Sequence, residues 1–200
     1  MMNRRCLMLV VLVIWVHTAS AGLSRRQEEQ ILIKHNKFRS KEKRASNMMK
    51  LVWNKDLARK AQSWADRCIM GHNPDHTSAD YDWVGENMAF ATYSDPLKMV
   101  KMWEGEKVIF DFNSNQCHPD PRNNLLRSCG HYTQMVWGDT KEIGCGFTTN
   151  CRNHDMPSRL VCNYGEAGNW RGEKPYSTGK KCSDCPRQYK KCSEGLCSKK

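Results

Sequence analysis

Residues 130–137 read Gly-His-Tyr-Thr-Gln-Met-Val-Trp, and residues 160–170 read Leu-Val-Cys-Asn-Tyr-Gly-Glu-Ala-Gly-Asn-Trp. Both open on short runs of aromatic and β-branched residues bounded by glycine or asparagine, the pattern of strands between turns. Together with Glu142–Thr148 they predict three antiparallel strands, at Tyr132–Trp137, Glu142–Thr148 and Arg159–Tyr164. On that reading Tyr132 and Gln134 flank His131 on a strand and hold its geometry. The first half has the other period. Ser24-x-x-Gln27 is a capping box, followed on one helical face by Ile31, Leu32, His35 and Phe38 up to about Arg39. Leu57, Ala61, Trp64, Ala65 and Cys68 predict a second amphipathic helix with Cys68 at its buried edge. Asp95-Pro96 starts a third, through Leu97, Val100, Trp103 and Glu106, with Asp as cap and Pro in the first turn. Helices first and strands second imply an α+β fold with helices packed on a sheet.

Further out, Arg4-Arg5, an apolar run from Cys6 to Val16 and Ala19-Ser20-Ala21 have the layout of a signal peptide over 1–21. The run is short for a bilayer span, which needs roughly 20 residues. Removing 1–21 leaves 179 residues, and the formal charge of +11 becomes +9 without Arg4 and Arg5. That length suits one domain with a real core over 22–175. Residues 176–200 are rich in Lys, Ser and Cys with almost no large apolar side chain, so this tail is expected to depend on its own bridges. Of eleven cysteines Cys6 leaves with the signal, and the remaining ten form an even set that reads as disulfides in an exported chain. Cys182-x2-Cys185 and Cys192-x4-Cys197 resemble zinc-ligand spacing, but the segment has no histidine. The basic surface, including Lys41, Lys43, Arg44 and the Lys-rich tail, suits an anionic membrane surface or polysaccharide. Nucleic acid is not an expected partner outside the cell, and no Asn-x-Ser/Thr acceptor is present.

Four segments exceed what scaffolding requires: Cys68-Ile-Met-Gly-His72-Asn73, Gly85-Glu86-Asn87, Trp103-Glu104-Gly105-Glu106 and the run from Gly130 to Trp137. Together with Ile143-Gly144-Cys145-Gly146 and the run from Leu160 to Trp170 they resemble the signature motifs of the CAP superfamily, over about residues 27–175. The superfamily comprises cysteine-rich secretory proteins, insect venom allergens and plant pathogenesis-related proteins. The four-cysteine tail is similar to the hinge module of animal members such as glioma pathogenesis-related proteins. The resemblance implies a three-layered α-β-α sandwich with a disulfide-rich C-terminal hinge, and a central cleft tetrad at His72, Glu86, Glu106 and His131. It also implies the pairs Cys68–Cys151, Cys117–Cys129, Cys145–Cys162, Cys182–Cys192 and Cys185–Cys197.

Two imidazoles and two carboxylates suit zinc or another divalent cation, general acid–base work, or a hydrogen-bonded cluster that only fixes loops. Glu104 competes with Glu106, but family members place the acid three residues after the tryptophan. Nothing marks a nucleophile, and Ser128 beside Cys129 reads as loop. The resemblance further suggests a sterol or fatty acid on a groove formed by the loop before His131, with Phe110, Phe112, Leu125 and Leu126 as candidates. The function expected is a secreted, non-enzymatic protein that binds a lipid or an extracellular partner through a receptor the sequence does not name. A secreted hydrolase or protease using the tetrad, or a venom-allergen-like immune modulator or toxin, is the alternative.

Overall fold

The computed structural model describes residues 22–121, 128–152 and 154–199, so the expected signal peptide and the candidates Leu125 and Leu126 lie outside the described residues. The three predicted helices form where their caps stand. Helix α1 (Arg25–Ser40) starts from a reciprocal Ser24–Gln27 capping box. In α2 (Lys55–Ala65) Asn54 Oδ1 accepts from the N–H groups of Asp56 and Leu57 at 2.8 and 3.0 Å. In α3 (Pro96–Gly105) Asp95 accepts from Leu97 and Lys98. Cys68 lies three residues past the end of α2, at φ 59°, rather than on its buried edge.

Strands β1 (Val52–Trp53), β2 (Gly85–Ala91), β5 (Glu142–Thr148) and β6 (Ser158–Gly165) form one sheet in the order β1-β5-β6-β2. The β5–β6 and β6–β2 pairs are antiparallel, and β1 runs parallel to β5. A two-stranded ribbon, β3 (Phe110–Asp111) with β4 (Gln116–Cys117), follows a 3-10 turn after α3.

The expected strand at Tyr132–Trp137 is a helix instead, α4 (Gly130–Met135). Four consecutive residues, Tyr132 to Met135, are buried, so neither a two-residue nor a 3.6-residue period shows in this run. Tertiary bonding decides its conformation. Arg39, 1 % exposed at the end of α1, gives all its guanidinium donors to main-chain carbonyls: Met49 (2.8 Å), Met135 (3.0 Å), Trp137 (2.7 Å), Gly138 (3.2 Å) and Thr140 (3.1 Å). Three of these lie just beyond the helix, where carbonyls have no intrahelical partner.

Helices α1, α3 and α4 cover one face of the sheet through Ile31, Met99, Val100, Trp103 and Met135, packed on Ile143, Phe147, Leu160 and Tyr164. Helix α2 covers the other face, with Ala61, Trp64 and Ala65 against Met88 and Val161. The architecture is the three-layered α-β-α sandwich. Its back layer is close because β5 has glycine where α2 crosses. A Cβ on Gly144 would lie 2.2 Å from the backbone N of Ala58, and one on Gly146 would lie 2.2 Å from that of Gln62.

Five disulfides close: Cys68–Cys151, Cys117–Cys129, Cys145–Cys162, Cys182–Cys192 and Cys185–Cys197. The tail adds a ribbon of β7 (Lys191–Ser193) and β8 (Leu196–Ser198). Its bridges are not its sole support. Leu196 and Cys197 are fully buried against residues 45–49, and the Cys197 N–H and C=O bond to Met48 O and Lys50 N–H, both at 2.8 Å. The tail thus shares the domain's core instead of building its own.

Candidate functional site

The tetrad forms two dyads of the same design. His72 Nδ1 meets Glu86 Oε1 at 2.7 Å, and the N–H of the next residue, Asn73, donates to the same oxygen at 3.1 Å. His131 Nδ1 meets Glu106 Oε1 at 2.6 Å, and the N–H of Tyr132 donates to Glu106 Oε2 at 3.0 Å. A carboxylate only accepts, so each Nδ1 carries a proton and each Nε2 is the free ring nitrogen. The Glu86 hydrogen bond holds the His72 imidazolium, raising its pKa above the ordinary value against an opposing desolvation. Glu104, the competing acid, points elsewhere and lies 3.6 Å from Lys41.

Strand β2 serves both dyads with successive residues. Glu86 holds His72, the Asn87 amide donates to His131 O at 3.0 Å, and Met88 O accepts the Trp103 indole N–H at 3.2 Å. The Trp103 ring in turn lies parallel to the His131 imidazole, 5.9 Å between centroids. Behind Asn87 runs a buried chain of hydrogen bonds. Its Nδ2 also donates to the Tyr164 hydroxyl at 3.1 Å. That hydroxyl donates to His35 Nε2 at 3.0 Å, since His35 Nδ1 is committed to Ile31 O at 2.9 Å and a carbonyl only accepts. Burial pushes the His35 pKa down to about 4, so the ring is neutral and the chain runs from α1 to the backbone of His131.

Among the described residues, one set of three or more His, Cys, Asp or Glu donors lies within 4.8 Å of one another, and it is Cys182, Cys185 and Cys197. All three sulfurs are in disulfides and offer no thiolate to a metal. The four tetrad residues do not form such a set. They do offer two free imidazole nitrogens and an unused oxygen: Glu86 Oε2 is buried without a protein hydrogen-bond partner, as is Nδ2 of Asn163, its pairing partner across β6. This donor set fits a hard or borderline divalent ion bound by few protein ligands.

The other candidates are placed apart from the tetrad. Phe110 packs on Tyr132, with centroids 5.9 Å apart, and Phe112 stacks on Tyr176 at 4.7 Å, so both rings anchor the loop to protein aromatics. Tyr132 and Gln134 are buried in α4. The Gln134 amide bonds Thr140 Oγ1 and the Gly168 N–H, tying α4 to the turn after β6. The Ser128 hydroxyl accepts the Gly130 N–H at 3.2 Å, a loop contact. Sequence reading passes over Arg39, Asn87 and Tyr164, the residues that set the position of α4. Their types are unremarkable, and only distant partners reveal their roles.

With this geometry in view, the profile of the Cysteine-rich secretory protein family (CAP) matches residues 32–164. The chain belongs to the CAP family. Venom allergen 5 of Vespula maculifrons is 41% identical over 177 residues, covering 80% of this CAP chain and 84% of that protein. Venom allergen 5 of Vespula vidua is 42% identical over 173 residues, covering 78% and 81%. Among solved structures, Schistosoma mansoni venom allergen-like protein 4 is 32% identical with a TM-score of 0.64, covering 78% of this chain and 97% of that one. A structure of NaASP2 with Zn2+ is 26% identical with a TM-score of 0.70, covering 89% and 98%. The CAP relatives and the five disulfides both fit an extracellular protein.

Proposed function

We propose that this chain is a secreted, non-enzymatic CAP-domain binding protein whose cleft takes a divalent cation through Nε2 of His72 and Nε2 of His131. The observation that carries the reading is the engagement of each Nδ1 by a carboxylate. That arrangement selects one tautomer and orients the ring, as the supporting layer of a zinc site does. Glu106 is then a support, Glu86 supports His72 through Oε1 and keeps Oε2 for the ion, and Trp103 and Asn87 fix the His131 ring and backbone. Zinc, when bound, supplies a Lewis acid and a link between the loop of His72 and helix α4. The Zn2+ held by the similar NaASP2 supports the same choice here. Phe110 and Phe112 are spent on protein contacts, which favours a partner at the cleft or the basic surface over a sterol or fatty acid in that loop.

Calorimetric titration of Zn2+ into the mature chain at neutral pH tests the reading. Wild type is expected to bind, and His72→Ala and His131→Ala are each expected to weaken binding at least about tenfold. Equal heats in all three overturn it. A hydrolytic activity lost in folded Glu106→Gln and His131→Ala would move the tetrad to acid–base catalysis.

A further inference from the structure

Away from the tetrad, a cavity of about 400 Å³ opens between the end of α1 and the loop after β3. Lys41, Lys43, Arg44 and Lys107 line it against a single carboxylate, that of Glu42. Glu42 is buried and already engaged, by Lys107 Nζ at 2.6 Å and by the Tyr176 hydroxyl at 3.2 Å. Lys41 reaches Glu104 only loosely, at 3.6 Å, and the exposed Lys43 and Arg44 side chains have no ion pair among the described residues. One wall is aromatic, formed by Phe112 stacked on Tyr176, with Lys174 Nζ 4.9 Å from the Phe112 centroid. An excess of cations beside a flat apolar wall matches a group that is anionic at one edge and apolar on one face.

The positive surface continues past the cavity in one direction. The tail runs alongside, with the Gly179 N–H on Arg44 O at 2.8 Å and Ala45 bridged to Thr178, which brings Lys180 next to Arg44. Lys181 Nζ donates to Ser40 O at the end of α1. The cations therefore form a stripe rather than a single spot, and a stripe of fixed charge is matched by a linear polyanion with repeated charges more than by one isolated headgroup. From this we infer that the Lys43–Arg44 cavity and the adjoining tail bind a sulfated polysaccharide, with sulfate groups on the lysines and Arg44 and a sugar face against Phe112. This site is separate from the His–Glu cleft and does not depend on the cation reading.

The test uses the mature chain with low-molecular-weight heparin as probe, at several salt concentrations. Lys43→Ser/Arg44→Ser removes two exposed cations whose side chains make no ion pair among the described residues. Lys55→Ser/Lys98→Ser removes the same charge from the first turns of α2 and α3 as a matched control. The cavity pair is expected to weaken binding about tenfold or more, and to lower the slope of log K against log salt by about two. The control pair is expected to change affinity less than about twofold. Equal losses in the two pairs overturn the inference, as does failure of wild type to bind heparin at physiological salt. Vesicles containing phosphatidylserine provide the second arm: loss of vesicle binding in the cavity pair with heparin affinity intact assigns the stripe to membranes and overturns the polysaccharide.

Discussion

His131 and His72 make the same bonds, each giving Nδ1 to a glutamate and the following N–H to the same carboxylate, yet they are mounted differently. His131 rides on α4, whose end is clamped by Arg39, whose backbone is held by Asn87 and whose ring lies along Trp103. Its side chain is 31% exposed. His72 sits in the loop after α2, 61% exposed, and its partner Glu86 keeps one oxygen unused. The two halves differ in exposure more than in anchoring, because the His72 loop is itself tied down by the Cys68–Cys151 bridge and by the Trp64 indole N–H on Gly71 O at 2.9 Å.

The largest break in that comparison is Arg39→Ala. It leaves five buried carbonyl contacts unmade, four at residues 135–140 and one at Met49, and a loss of about 3–5 kcal/mol is expected. Thermal unfolding reads the loss, and a drop under about 5 °C would mean that α4 is held by packing instead. The second effect comes from His35. Its ring stays neutral in the fold down to about pH 4, whereas an unfolded histidine takes a proton near 6.5. Unfolding therefore binds a proton in that window, and stability falls as pH drops from about 6.5 toward 4, by up to roughly 3 kcal/mol. His35→Gln should flatten that part of the curve, as measured by denaturant titrations at a series of pH values; an unchanged slope would place the acid sensitivity elsewhere. The smallest effect sharpens the other half. Glu86→Gln replaces the charged acceptor of the His72 imidazolium by a neutral one, so the His72 pKa should return toward its ordinary value while the His131 resonances stay in place. The sign for stability is opposite to that of His35. The His72 contribution is full below its unfolded pKa and disappears as pH rises through the folded one. An NMR titration in which both imidazoles move would show the dyads to be coupled.

Much of this molecule is legible in its residues. The caps at Ser24, Asn54 and Asp95 act on the first turn of their own helices, so three helix starts can be read locally or recognised once seen. Strand β5 is bounded by its own turn residues and spans the predicted 142–148. Strand β2 escapes notice because it is buried at most positions and shows no clean alternation. The conformation of 130–135 is also unreadable, since its four buried side chains carry no period and its last carbonyl, that of Met135, is bonded by Arg39, about a hundred residues earlier in the chain.

The sequence by itself determined the composition of the tetrad, two histidines and two glutamates in family motifs, and the even set of cysteines, because these depend on residue types and order alone. Only the tertiary structure decided that each glutamate takes one histidine and that the tail shares the domain's core. It also decided that Lys43 and Arg44 border a cavity with aromatics far away in the chain. The reason is physical: hydrogen bonds and charge act over a few ångströms of space, and separation along the chain says nothing of that distance until the sheet has closed.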